Sequence, residues 1–149
     1  MKTCMFIFSL ALLLSCKNNV RHKDYGKDPA LYNKKFVLVE LNGTLIKTKG
    51  SPVHLTFLEQ DNVTTGSGGC NSFTGMWSTR KEFLKMTILN MTDMVCTEGM
   101  ETEADYTKML KEVDRFELSS GKNGSAKIKI LRLYVGDKRV AVMNEVVEP

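Results

Sequence analysis

Residues 64–77 read TTGSGGCNSFTGMW, four glycines crowding one cysteine between residues that favour extended chain. Three readings compete for such a stretch: a phosphate cradle, a turn presenting a reactive thiol, and a tight piece of β-structure. A Walker loop needs Gly-x-x-x-x-Gly-Lys-Ser/Thr so that its lysine reaches the phosphates, and no such lysine follows here. A dinucleotide loop needs Gly-x-Gly-x-x-Gly between a strand and a helix. Counted from Gly66 and Gly68, the third position is Asn71, and the next residues read as a strand. Both nucleotide readings fail on spacing.

A nucleophilic Cys70 would need a base or a positive field to lower its pKa. The chain has two histidines. His22 lies in a polar N-terminal stretch, and His54 sits among Val53, Leu55 and Phe57, where a histidine is most simply a pleat residue. Cys70 has a simpler partner in Cys96. Two histidines and two cysteines make no recognisable zinc spacing. The acids Glu98, Glu101, Glu103 and Asp105 lack the alternation and the glycine of a calcium loop. No metal and no cofactor are expected.

Around the glycines the chain reads mostly as strands. KFVLVEL (35–41) is β-branched and aromatic and ends at Asn42-Gly43, a turn signal. VHLTFLE (53–59) alternates, and Asp61-Asn62 turns it into a short strand over 63–65. A further strand follows the glycines over 75–79. EFLKMTIL (82–89) places Leu84, Met86 and Ile88 on one face, the better core face. Residues 100–116 instead carry Tyr106, Met109, Leu110 and Val113 at helical spacing, with Phe116 at the edge of the stripe. Thr102-x-x-Asp105 is the start signal, and early acids with later lysines suit the helix dipole. Strands resume at 115–119, 126–134 and 139–146. Ala126, Ile128, Ile130 and Leu133 are expected to face the core, with a bulge where the parity changes. Strands, one helix and more strands indicate an α+β domain with a largely antiparallel sheet.

The N-terminus, MKTCMFIFSLALLLSC, pairs a lysine with an apolar run too short to span a bilayer and suited to a signal peptide. Leu13-Leu14-Ser15-Cys16 resembles the lipobox of bacterial lipoproteins, in which the chain is cut before the cysteine and the thiol is diacylated. The expected organisation is a lipoprotein signal peptide (1–15), lipidated Cys16 with a flexible tether (16–33), and one domain (34–149). Two or more acyl chains anchor a protein stably without a spanning segment. Cys4 leaves with the signal peptide and Cys16 carries lipid, so Cys70 and Cys96 remain. In an oxidising compartment they read as one disulfide, with a reduced or redox-active pair as the alternative. The formal charge of +4 falls to +3 without Lys2, spread along the chain, which gives no case for nucleic acid.

With these elements in place, the pattern Gly66-x-x-Gly69-Cys70-Asn71-x-Phe73-x-Gly75-x-Trp77 resembles the signature of the META/HslJ domain family. Leu84-x-Met86-x-x-Leu89, Thr92-x-Met94-x-Cys96, and Val113-x-x-Phe116-x-Leu118 extend the likeness over residues 36–142. Phe36 stands where the family often has tryptophan, and Trp77 where tyrosine is usual. The resemblance implies a curved, largely antiparallel sheet, cracked-barrel-like, wrapped around one helix. The glycines would then form an architectural joint, with Cys70 stapled to Cys96 just before the helix.

The family implies an envelope protein linked with heat or antibiotic stress and no established enzyme activity. The first functional reading is a non-enzymatic, monomeric lipoprotein on the outer membrane, facing the periplasm, that binds or stabilises envelope components. The fold is also similar to that of type III secretion pilot lipoproteins, so the second is a lipid- or peptide-binding module with an apolar groove at Met86, Ile88, Met109 and Leu110. The third is a thiol enzyme using Cys70.

Overall fold

Short, strongly turned connections leave each strand little choice but to pair with its neighbour. Asn42, Gly43, Lys81, Gly124 and Gly136 all have positive φ, the conformation that tight hairpin turns demand. The computed structural model describes Gly26 and residues 28–47 and 51–147. Its strands are β1 (Lys34–Leu41), β2 (Thr44–Leu45), β3 (His54–Phe57), β4 (Val63–Ser67), β5 (Ser72–Arg80), β6 (Phe83–Met91), β7 (Arg115–Asn123), β8 (Ala126–Val135) and β9 (Lys138–Glu145). The helix α1 (Met100–Glu112) lies between β6 and β7. The signal segment, Cys16 and the tether up to residue 25 lie outside the described residues.

Every pairing is antiparallel, in the order β2-β1-β3-β4-β5-β6-β7-β8-β9, and β9 returns to β1. The sheet is therefore ring-like, but it is not a regular barrel. Its weak seam lies between β6 and β7, which pair only at Phe83 and Arg115. Hydrogen bonds from Leu84 N to Asp114 O and from Phe116 N to Glu82 O hold that one corner. The result is the expected α+β fold, a curved antiparallel sheet around one helix.

The ring is filled from both sides. Phe36, Phe57 and Trp77 stack edge to face, with centroids 6.1 and 4.9 Å apart. Trp77 Nε1 donates to Leu58 O and Val63 O, so its one polar atom is satisfied. From α1, Tyr106, Met109 and Leu110 enter the same core. The Tyr106 hydroxyl has no hydrogen-bond partner among the described residues, and burial pushes its ionisation far upward.

Three local expectations change. The helix does not run to Phe116: Val113 is already extended, and Phe116 belongs to β7. Helical spacing continued into a strand because Val113 and Phe116 face the same core from different elements. Nor does Thr102 start the helix, since the N-cap is Gly99, at φ +90°, without a side-chain cap. In β8 the pairing with β7 runs unbroken from Ala126 to Tyr134, so Leu131 and Leu133 are fully buried on one face while Ala126 is exposed and Ile130 covers Gly121 on the other. The bulge, against β9, lies at Leu133/Tyr134, later than expected. The run Ile128–Leu133 is apolar on both parities, and alternation could not choose its inner face.

The packed domain also reaches back into the stretch read as tether. Gly26 bridges to Thr79, and the Thr79 side chain accepts from Asp28 N and donates to Gly26 O. Asp28 caps a 3-10 turn at Pro29–Leu31, which delivers Leu31 fully buried into the core. Leu31→Ala should therefore cost about 2–4 kcal/mol, as for other fully buried leucines. Urea unfolding measures it, and a loss under about 0.5 kcal/mol, the range of surface changes, would mean that this strap is dispensable.

Candidate functional site

The glycine stretch, the segment between β6 and α1, and the first turn of α1 converge at one end of the ring. Glu103 is the residue that joins them. Its side chain is 6% exposed, and its carboxylate accepts hydrogen bonds from Cys70 N at 3.2 Å, from Asn71 N, and from Asn71 Nδ2 at 2.7 Å. A buried carboxylate is tolerated only when its oxygens are matched by donors. The chain after Gly69, at φ +108°, turns both amides toward it. Gly68 has no side chain for a steric reason: a Cβ there would stand 2.4 Å from Glu103 Cγ.

Asn71 ties in the third element. Its Oδ1 accepts from Thr92 Oγ1 at 2.8 Å and from Met94 N at 2.7 Å, while Nδ2 also donates to Met94 O at 3.1 Å. Thr92 Oγ1 in turn accepts from Ser72 N. Thr92 and Met94 are thus held through one amide side chain, and the Met94 side chain itself is exposed. Cys70 and Cys96 are disulfide-bonded across 26 residues of sequence, beside this network. Closing a loop of that size contributes about 3.5 kcal/mol in the chain-entropy model.

The remaining signature residues are structural too. Phe73 is buried and its ring packs against Tyr106. Gly66 and Gly75 allow close strand approach, since a Cβ on Gly75 would fall 2.1 Å from Thr87 O. Of the residues read as an apolar groove, Met86, Met109 and Leu110 lie in the buried core and Ile88 packs against it. Met109 alone also reaches a surface recess of about 320 Å³, with Asn42, Asp105 and Lys138.

A cleft of about 480 Å³ opens beside the joint, lined by Lys47, Val53, Gly69, Glu98 and Thr102 among others. The groups of the joint beside it, Glu103, Asn71 and Cys70, are engaged with one another or with Cys96. His54 Nδ1 lies 3.1 Å from Pro52 O, and His54 pairs in register with Ser67. No group of three or more His, Cys, Asp or Glu side chains able to hold a metal occurs among the described residues. The arrangement can clamp three chain segments: the Cys70 sulfur is spent in the disulfide and the Glu103 carboxylate on three donors, while Glu98 lines the cleft.

The chain matches the META domain over residues 29–144. It belongs to the META domain family. The match begins inside the strap that delivers Leu31, and it takes in the whole joint. Among solved structures, the META domain is similar to an NMR structure of a Burkholderia xenovorans protein, at 18% identity and TM-score 0.60, covering 99% of this chain and 100% of that one. A second NMR structure aligns at 24% identity and TM-score 0.54, covering 78% of this chain and 91% of the other. At these identities the likeness concerns the fold. No curated protein matches the chain.

Sequence reasoning missed Glu103, which it grouped with helix-start acids. The signal was there: Glu103, Tyr106 and Leu110 fall at i, i+3 and i+7, so the acid stands on the apolar stripe. Glu103→Leu should orphan the Cys70 and Asn71 amides and cost about 3–5 kcal/mol, with one to three for each buried donor left unpaired. Glu101→Leu, at an exposed position, should change stability by less than about 0.5 kcal/mol. Equal losses in urea unfolding would remove Glu103 from its central place.

His54 gives a separate expectation. Burial pushes its imidazole below the ordinary 6.5, with Lys35 adding to that and the Pro52 carbonyl opposing it. The fold thus favours the neutral ring. The stability it contributes is complete above pH 6.5 and falls as pH drops from there through the lowered value. An NMR titration midpoint at or above 6.5 would contradict this.

Proposed function

We propose that this META-type protein is a non-enzymatic bacterial envelope lipoprotein. It is anchored through acylated Cys16, on the outer membrane facing the periplasm, and binds or stabilises envelope components under heat or antibiotic stress. The observation that carries the inert reading is how the joint consumes its own chemistry. Glu103 accepts from the Cys70 and Asn71 amides and the Asn71 side chain, and Cys70 is bonded to Cys96. A domain whose reactive groups serve as clamps is suited to persistence on a membrane surface. The lipobox-like Leu13–Cys16 supplies the anchor.

A second reading, a lipid- or peptide-binding module, is favoured by the seam. Beyond Phe83, β6 has no strand partner on its β7 side, and Leu89, Met91, Met94 and Val95 nearby are exposed. Intact mass of the protein extracted from its own membrane, alkylated without reductant, separates the readings. A diacyl or triacyl mass with no alkylation and no adduct supports the first. A retained lipid or peptide supports the second, and an alkylated Cys70 revives a thiol enzyme.

A further inference from the structure

The way the chain enters the fold sets which end of the domain lies nearest an anchoring membrane, and this inference rests on the anchor at Cys16. Gly26 is bridged to Thr79 near the end of β5, where its carbonyl accepts from Thr79 N at 2.9 Å. Only nine residues, ten Cα–Cα steps, separate Cys16 from Gly26. Fully extended they span about 35 Å, which is roughly the width of a compact domain of this size. The end of the domain that carries Thr79 is therefore the end closest to the anchor along the chain and the one that reaches the lipid with the shortest tether.

That end has an unusual surface. Next to Thr79, β5 and β6 meet in a tight turn through Lys81, and Arg80 pairs in register with Phe83 and Ser78 with Lys85. Thr79 and Leu84 point inward, so Arg80, Phe83 and Lys85 point outward together. Phe83 is 55% exposed, and Arg80, Lys81 and Lys85 form no ion pair among the described residues. Arg80, Phe83 and Lys85 rim a recess of about 400 Å³ with Leu84, Val113 and Asp114. The acids that face the cluster are Glu82 in the turn and Asp114, both of whose carboxylate oxygens accept from Gly136 N. Arg115 is engaged with Gly136 O and Asp137. The preceding residues 17–25 carry Lys17, Arg21 and Lys23 against Asp24. An aromatic ring ringed by unpaired cations matches the apolar–anionic boundary of a bilayer.

We propose that the β5–β6 hairpin end, with Arg80, Lys81, Phe83 and Lys85, is the face on which this domain rests against an anionic lipid bilayer. Phe83 enters the headgroup boundary while the three cations lie against lipid phosphates.

The test uses the chain with a histidine tag in place of residues 1–16, all described residues being retained, held on vesicles by nickel-chelating lipid. The vesicles are phosphatidylcholine with or without phosphatidylglycerol, and one acyl chain is brominated. Emission of Phe83→Trp should be quenched in the anionic vesicles, and raising the salt should relieve the quenching. Leu45→Trp should be unaffected, as should the buried Trp77 of the parent chain. Leu45 sits beside the N-terminus of α1 and Phe83 beside its C-terminus, about 20 Å apart along the helix. Without the tag-binding lipid, Arg80→Gln and Lys85→Gln should each weaken binding to anionic vesicles about five-fold. Equal quenching at positions 83 and 45, or none at 83, overturns the proposal. Acylation is read separately from the mass of the native protein, so loss of the anchor reading and loss of this face are distinct results.

Discussion

A buried carboxylate is the constraint from which the rest of this structure follows. Glu103 sits on the inner face of α1, where an unmatched charge would be several kcal/mol too costly to keep. Only the amides of Cys70 and Asn71 and the Asn71 side chain make it tolerable. Those amides point inward because the chain turns at Gly68 and Gly69, and Gly68 must lack a side chain for the carboxylate to arrive. Helix position, glycine spacing and the turn between β4 and β5 are thus one requirement rather than three.

The second clamp works through the same residue. Asn71 spends one end of its amide on Glu103 and the other on Thr92 and Met94, so the segment leading into the helix is fixed before the disulfide is considered. The Cys70–Cys96 bond then acts mainly on the unfolded chain, whose freedom it reduces. Removing either clamp leaves the other in place, so the joint is held twice over.

The ring is asymmetric in what it leaves unpaired. Seven of its junctions are extended ladders, whereas β6 and β7 meet at one corner, and α1 packs against β6 at that opening. The connection from β6 to β7 has to pass through the helix, whereas the others are mostly tight turns. A long connection with its own apolar face fills the ring but cannot also zip its two flanking strands together. The seam is the geometric consequence of placing the helix inside the sheet's curve.

Local chemistry was legible from the residues themselves. Alternation located Leu84 and Met86, the 3.6-residue period located Tyr106, Met109 and Leu110, and Asn42-Gly43 marked a hairpin, because these signals act over a few neighbouring residues. The resemblance gave the curved sheet, while the cysteine count had already paired Cys70 with Cys96. Where two elements share a core, the same signals misled: Val113 and Phe116 continued the helical stripe across a chain reversal. The strap at Pro29–Leu31 was invisible because one buried leucine in a polar stretch has no period. The sequence by itself determined the turns, the strand and helix tendencies and the cysteine count. Only the tertiary structure decided that Glu103 is a buried acceptor and Asn71 a two-sided clamp, since a hydrogen bond between residues 32 apart leaves no mark on the neighbours of either.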